Sequence, residues 1–422
     1  MNNGLRFALK HYIKNILFLS LALAPWGVLA EELPENYFPV RPLGMGGAFT
    51  AISDDQNAIW TNPAGIGHTR KPRSRNKINL LTIPNINVGS NNEARASFST
   101  LDSSGKGETS DQAVTAIENA IDAAGGSTDK PIWGFFSAAP TLYLATDYNA
   151  SAAFSLFSNN RVKIAIEDPT SNLLRTEIVS DIGGVLGASY GTKLNAFTFG
   201  IQLRPTLRYA YDDSLPAADV LDKTTLKKQI EQGANTGTGI GLDMGLLWTI
   251  PDFWFPTFGL AVFNLPTGCV NNYLNPYTEL RQTICGTTYS GKVNNPDSLF
   301  LVDPTDIRMG FSITPRITNK LALRFDLDVH HLYIPSGTTF YGLPGVDASK
   351  LVHAGLEAFL GNPLLLSPFS VRVGYGGGFT SAGLTLRLRF LLLEFATYGA
   401  DISSTPTARE DRRLMLSASI ED

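Results

Sequence analysis

From about Lys77 onward the chain repeats one pattern, in which apolar and polar residues alternate over stretches of roughly 10 positions and are then interrupted by turn residues. Successive side chains of a strand point to opposite faces, so each stretch encodes a wall with one apolar and one polar side. Lys320 to His330 is the clearest case. Leu321, Leu323, Phe325, Leu327 and Val329 fall on one face, and Lys320, Arg324, Asp326, Asp328 and His330 on the other. A soluble sandwich would turn the apolar face inward and a membrane barrel would turn it outward, so alternation alone does not separate them.

The connections do. Candidate strands run over Lys77–Gly89, Pro140–Thr146, Ala150–Glu167, Thr176–Tyr190, Ala196–Tyr211, Thr238–Ile250, Phe255–Leu265, Asp306–Arg316, Lys320–His331, Leu351–Leu360, Ser370–Tyr375, Thr380–Arg389, Leu391–Tyr398 and Arg412–Ile420. The odd-numbered connections are mostly long, with loops at 90–139, 212–237, 266–305 and 332–350. The even-numbered ones, such as Gly191–Asn195, Pro251–Trp254 and Ile317–Asn319, are short. A two-sheet sandwich has no reason to sort its connections by parity, whereas a barrel with loops on one rim and turns on the other does. The expected fold is all-β, a membrane-spanning antiparallel β-barrel of about 14 strands over residues 76–422. Two loops carry helical text, Ser110 to Ala124 and Leu221 to Gln232.

Composition agrees. With 39 Gly, 24 Phe and 14 Tyr but only 17% charged residues, the balance is that of an aromatic-rich β protein. A net charge of −4 argues against a nucleic-acid partner. Residues Met1 to Ala30 read as a cleaved secretory signal: Arg6, Lys10 and Lys14 precede the apolar run Ile16 to Leu23, and Val28-Leu29-Ala30 supplies small residues for cleavage. An exported chain with an even cysteine pair in one loop is expected to form the disulfide Cys269–Cys285. The chain closes on Ser419-Ile420-Glu421-Asp422, without the terminal aromatic residue common in outer-membrane barrels, although Arg409 to Ile420 still reads as a last strand.

No catalytic or cofactor pattern emerges. The histidines His11, His68, His330, His331 and His353 show no HxxxH or HExxH spacing, and no serine lies in GxSxG. The Gly-rich run after the signal has neither GxxxxGK[ST] nor GxGxxG, so a nucleotide site is not supported. The expectation is a protein that is not an enzyme, with no metal and no cofactor. If the apolar stripes face lipid, the lumen receives Arg204, Arg208, Asp243, Arg308, Arg324, Asp326, Asp328, Glu357, Arg372, Arg387, Arg389, Glu394 and Arg413. Interior charges pair with each other or with a plug because unpaired burial is costly, and some could also guide a substrate head group.

The most specific text is Leu43-Gly44-Met45-Gly46-Gly47-Ala48-Phe49-Thr50-Ala51, followed by Asp54-Asp55, Trp60 and Asn62-Pro63-Ala64-Gly65. Its glycines permit conformations closed to other residues, and Asn62-Pro63 sets a turn. This run resembles the start of mature outer-membrane barrels of the long-chain fatty-acid transporter superfamily, which is FadL-like with PorV-like and TraF-like branches. The resemblance implies that residues 31–75 form a hatch inside the lumen, with Leu43, Gly44, Met45, Gly46, Gly47, Phe49, Asp54, Asp55, Trp60, Asn62, Pro63, Ala64 and Gly65 as its body. The hatch acids are then partners for lumenal arginines, and Arg41 for lumenal acids.

It further implies a Gram-negative outer-membrane location, contact with membrane lipids, and transport of a hydrophobic small molecule such as a fatty acid or hydrocarbon. The alternative it offers is a non-conducting barrel that docks a protein of a secretion or conjugation system. In the family the third strand is kinked to open the wall sideways. Here the outward stripe Phe154, Leu156 is interrupted by Ser158-Asn159-Asn160 before Val162, which reads either as such a kink or as a hairpin turn.

Overall fold

The computed structural model describes residues 37–69, 78–103, 110–123, 130–145, 149–168, 172–192, 196–251, 254–274, 281–294, 301–318, 320–333, 341–342, 348–360, 367–402 and 409–421. The signal segment 1–30 lies outside the described residues.

The first part of the wall comprises β1 (Ile78–Asn91), β2 (Ile132–Ala138), β3 (Thr141–Ala145), β4 (Ala150–Asp168), β5 (Leu173–Gly191), β6 (Phe197–Pro216), β7 (Asn235–Thr249) and β8 (Thr257–Phe263). The long loop after β8 holds β9 (Gly268–Leu274), β10 (Arg281–Thr288), β11 (Ser290–Lys292) and β12 (Val302–Pro304). The wall resumes with β13 (Asp306–Ile313), β14 (Arg316–Thr318), β15 (Leu321–Tyr333), β16 (Tyr341–Gly342), β17 (Val352–Leu360), β18 (Phe369–Gly376), β19 (Phe379–Leu388), β20 (Leu391–Asp401) and β21 (Glu410–Glu421). Neighbouring strands pair antiparallel throughout, and β21 returns to pair with β1. With β2 and β3 as one interrupted stave, the result is a closed barrel of 14 staves.

The outer face explains why the chain closes this way. Phe154, Leu156, Ile182, Leu186, Ile240, Leu327, Val373 and Leu416 all project outward and are exposed. An apolar band of this extent is stable only against lipid. Near the short-turn rim it ends in aromatic side chains, with Trp248 and Phe258 stacked at 5.5 Å and Phe258 against Phe311 at 4.9 Å. Amphipathic and aromatic rings settle at such boundaries.

The second stave differs from its expected course. It begins at Ile132, inside the stretch assigned to the 90–139 loop, and breaks between Ala138 and Thr141. Pro140 has no N–H to give to a ladder, so the regular ladder is interrupted there and resumes in β3, while single bonds still tie the break to both neighbours: the Ala139 N–H donates to the Asn85 carbonyl at 2.8 Å and the Leu156 N–H to the Pro140 carbonyl at 3.3 Å. β4, by contrast, runs unbroken through Ser158-Asn159-Asn160, in register with Ala138 to Phe136 on one side and Ile182 to Ser180 on the other. No hairpin turn occurs at these residues. The side chains of Ser158 and Asn160 bond within the wall: Asn160 donates to Ser158 Oγ at 3.1 Å and Ser180 donates to Asn160 at 2.7 Å.

Helices sit above the tall β4–β6 wall. Ser110–Ala123 is where the sequence puts it, the stretch expected at Leu221 to Gln232 is a helix over Lys223–Gly233 preceded by a separate one over Ala217–Leu221, and a further helix spans Asn92–Ser103. Asp222 accepts from the Thr224 N–H at 3.1 Å, which caps the later helix and explains the division. Val114 and Ile117 pack with Leu174, Tyr211, Leu215 and Val220, fastening these helices to the wall. Cys269 on β9 faces Cys285 on β10 and is bonded to it.

Candidate functional site

Residues 37–69 run across the inner side of the barrel with only short elements: a helix at Val40–Gly44, one turn at Ala58–Thr61 and a 3-10 turn at Pro63–Gly67. Such a segment has few hydrogen bonds of its own and must take partners from the wall. Asn62 shows how. Its Oδ1 accepts from the Ala64 N–H at 3.0 Å, capping the 3-10 turn, while its Nδ2 donates to the Thr50 carbonyl at 2.9 Å and to Leu246 of the wall at 3.2 Å.

Gly46 and Gly47 adopt φ of +71° and +88°, the left-handed region that glycine alone enters without penalty. On the wall side, a Cβ added at Gly374 would stand 2.1 Å from the Met45 carbonyl carbon. Gly374→Ala is therefore expected to push the Met45–Gly47 turn off the wall at a cost of about 1–3 kcal/mol. Faster amide exchange at Gly46 and Gly47 would register it, and unchanged exchange would refute it.

The polar anchor is an ion network. Arg41 donates to Asp54 at 2.9 Å, to Asp55 at 2.7 Å and, with two nitrogens, to Glu357 at 3.1 and 2.7 Å. Arg324 reaches Asp54 at 3.0 Å. Burial opposes the charge on Arg41, yet Glu357, Asp54 and Asp55 together raise its pKa well above the ordinary guanidinium value. Asp328 adds a second anchor, accepting the Phe49 and Thr50 N–H groups at 2.9 and 2.8 Å and facing His330 Nε2 at 3.1 Å. His68 bonds Thr198 at 2.9 Å, and burial holds its imidazole below the usual pKa against the pull of Asp54.

Most of the other inner charges also find partners. Arg208 forks to Asp181 and also grips Asp303 at 2.7 Å, tying β12 of the loop sheet to the wall. Arg204 lies 3.5 Å from Asp243, Arg308 donates to Asp306 at 2.6 Å and Arg387 to Glu421 at 2.9 Å. Glu394 accepts from Thr385, which Arg372 also contacts, and Arg413 lies between Asp411 and the Trp133 ring. Asp326 is buried, and its carboxylate has no hydrogen-bond partner among the described residues. Arg389 is the exception to the inner set. It sits in the β19–β20 turn with φ +56°, exposed, because β19 ends at Leu388 and a turn has no inner face.

Behind the interrupted stave the segment is aromatic. Tyr37 stacks on Trp60 at 4.1 Å, and Trp60 meets Phe157 edge-on at 5.4 Å. The same cluster takes in Ala139 and Tyr143, whose hydroxyl donates to the Gln56 carbonyl at 3.0 Å. Two cavities open toward the long-loop rim. Chamber 1, about 930 Å³ with its open mouth, is lined by Tyr37, Pro39, Leu43, Trp60, Arg204, Phe263, Asp306, Arg308 and His330 among others. Chamber 2, about 690 Å³ with its open mouth, lies between Phe38, Leu43, Phe379, Tyr398, Ser381, His353 and the Lys350–Asp401 ion pair. Leu43, Gly47 and His331 border both.

Several of these residues escape a reading by motif. Tyr37, Phe38, His353, Lys350 and the Ala139-Pro140 break belong to no fingerprint, and only a proline set between two short alternating runs could have signalled the last. Among the described residues no three metal-ligating side chains gather, although His330 and His353 stack at 4.1 Å.

No family model and no curated protein sequence matches the chain. Solved structures do. A deltaS2S3 mutant of the monoaromatic hydrocarbon channel TodX matches at 11% identity and a TM-score of 0.51, over 91% of this chain and 98% of that one. The deltaS2 mutant of TodX gives the same identity and score over 91% and 97%. A Pseudomonas aeruginosa FadL homologue covers 94% of this chain and 99% of its own at 11% identity, with a TM-score of 0.45. The case for the fold rests on the two TodX matches, and at such identity it concerns the fold alone. The all-β, 14-stave barrel expected from strand parity and from the LGMGGAFTA run is the fold this chain has, and it is shared with the FadL-type channel TodX.

Proposed function

We propose that this protein carries hydrophobic small molecules across a Gram-negative outer membrane. Residues 31–75 act as a hatch, of which 37–69 are described, and residues 76–422 as the barrel. The ligand enters among the outer loops, collects in the chambers above Leu43–Gly47, and leaves sideways into lipid through the interrupted second stave. The observation that supports this reading is the alignment of three features: chambers on the long-loop side, of which chamber 2 is walled mainly by apolar groups, a segment held inside by ions, and a break in the regular strand pairing at Ala139-Pro140 that is backed by aromatic rings. The exit is accordingly assigned to Ala139-Pro140, next to Leu156-Phe157, instead of Ser158–Asn160. Long-chain fatty acids and hydrocarbons both fit, since an apolar route discriminates weakly per methylene.

The test is uptake of a long-chain fatty acid and of toluene by cells carrying the full chain, a deletion of Gly44 to Gly65, or no gene. Altered uptake in the deletion and loss without the gene are expected. Equal uptake in all three would refute transport, and co-purification of a protein without acyl chains would favour a docking barrel.

A further inference from the structure

The two rims of the barrel differ in charge. On the long-loop rim exposed acids and cations are mixed, with Asp111, Asp122 and Glu231 standing among Lys223, Lys227 and Lys228. The short-turn rim is cationic. Arg316 and Lys320 in the β13–β15 turn and Arg389 in the β19–β20 turn are exposed, and none of them forms an ion pair among the described residues. The acid at that rim among the described residues, Glu421, is buried and already held by Arg387 at 2.9 Å.

Apolar side chains stand beside these cations. Trp254, Ile317 and Phe390 occupy the same arc of turns and are half-exposed. The Thr314 N–H donates to the Trp254 carbonyl at 2.7 Å, which joins the β7–β8 and β13–β15 turns, and the Arg316 guanidinium lies 5.8 Å from the centre of the Phe255 ring. The arc is continuous with the lipid-facing stripes, which descend to it through Phe311, Leu386 and Leu388. Aromatic rings and long cationic side chains at the edge of an apolar band match the level at which acyl chains end and head groups begin. A zwitterionic head group brings an ammonium of its own, which unpaired cations repel, whereas a net-negative head group offers them an uncompensated phosphate.

We infer that the short-turn rim, from the β7–β8 turn to the β19–β20 turn, is a binding surface for anionic phospholipids. The acyl chains lie against Phe311, Ile317 and Leu388, and the head-group phosphates meet Arg316, Lys320 and Arg389. Arg389, which parity would place in the lumen, thereby acts on the membrane side of the wall. The surface requires only that the barrel spans a bilayer, so it stands apart from what the barrel carries.

Electron paramagnetic resonance of the full chain in phosphatidylcholine bilayers tests it, with a trace of spin-labelled phosphatidylglycerol or of spin-labelled phosphatidylcholine. The expected result is an association about twofold stronger for the phosphatidylglycerol label, averaged over a perimeter of which the arc is only a part. Salt at about 1 M should remove most of the difference, because exposed charges are then screened within about 3 Å. Arg316→Gln, Lys320→Gln and Arg389→Gln combined should abolish the preference, whereas Lys227→Gln with Lys228→Gln on the opposite rim should leave it intact. Retention of heat-modifiable compact migration on gels establishes that both variants fold. Equal association of the two labels with the wild-type chain, a preference that survives the triple variant, or one that disappears in the long-loop variant would overturn the surface.

Discussion

Arg41→Ala is expected to release residues 43–62 from the wall while the barrel stays closed. Arg41 is the only described residue that joins Asp54, Asp55 and Glu357 at once, and Glu357 is 1% exposed. Removing one partner of a buried ion pair leaves uncompensated charge and costs about 3–5 kcal/mol. At about 1.4 kcal/mol per tenfold, amide exchange across the segment should accelerate by roughly two to three and a half orders of magnitude. Arg324 still reaches Asp54 at 3.0 Å and Glu357 at 3.7 Å, which favours the lower end of that range. Arg41→Lys should recover only part of the protection, because one ammonium cannot fork onto Glu357 and still bridge two aspartates. Arg41→Met combined with Glu357→Met should recover more than Arg41→Ala, since Glu357, the most buried of the three acids, is then no longer left charged. Unchanged exchange at Phe49 and Thr50 in Arg41→Ala would show that Asp328 alone holds the segment.

The second large effect is expected at Trp60. Its ring is clamped between Tyr37 and Phe157 behind the break at Ala139-Pro140, and it is 9% exposed. Trp60→Ala should cost about 3–5 kcal/mol of local packing and leave a void that the short 3-10 turn cannot collapse to fill. If the break is the exit, transfer of a lipophilic fluorescent probe from the lumen into liposome bilayers should accelerate severalfold. Brominated lipids, which quench Trp60 weakly in the intact protein, should quench it strongly once Tyr37→Ala opens the stack. Slower transfer in Trp60→Ala, or quenching that ignores Tyr37→Ala, would place the route elsewhere.

How far the sequence could be read follows from what faces each side of the wall. Where one face meets lipid and the other meets charge, as in β15, alternation is clear and strand, face and partners are legible; Arg324 and Asp328 point inward as their parity requires. Where the inner face meets the apolar part of the segment, both faces are apolar and the signal fades. Ile132–Ala138 is such a place: Trp133 and Phe135 pack inward against Phe38, while Phe136 is exposed outside. The stretch therefore reads as loop. Parity also runs on past a strand's end, which is how Arg389 is drawn inside when it belongs to a turn. Histidine spacing is a local test, whereas His330 and His353 meet only because β15 pairs with β17.

The wall glycines carry one more consequence. Gly245, Gly259, Gly310, Gly355 and Gly374 lie on five different staves, and at each of them a Cβ would collide with the backbone or side chains of residues 45–62. The barrel interior is thus a cast of the segment, cut to its outline one stave at a time. Because that segment takes its hydrogen bonds from the wall, neither the segment nor the lining that fits it has its outline without the other. Closing the cylinder and seating its contents should accordingly be a single cooperative event, and a barrel assembled without residues 45–62 would keep a groove in their shape.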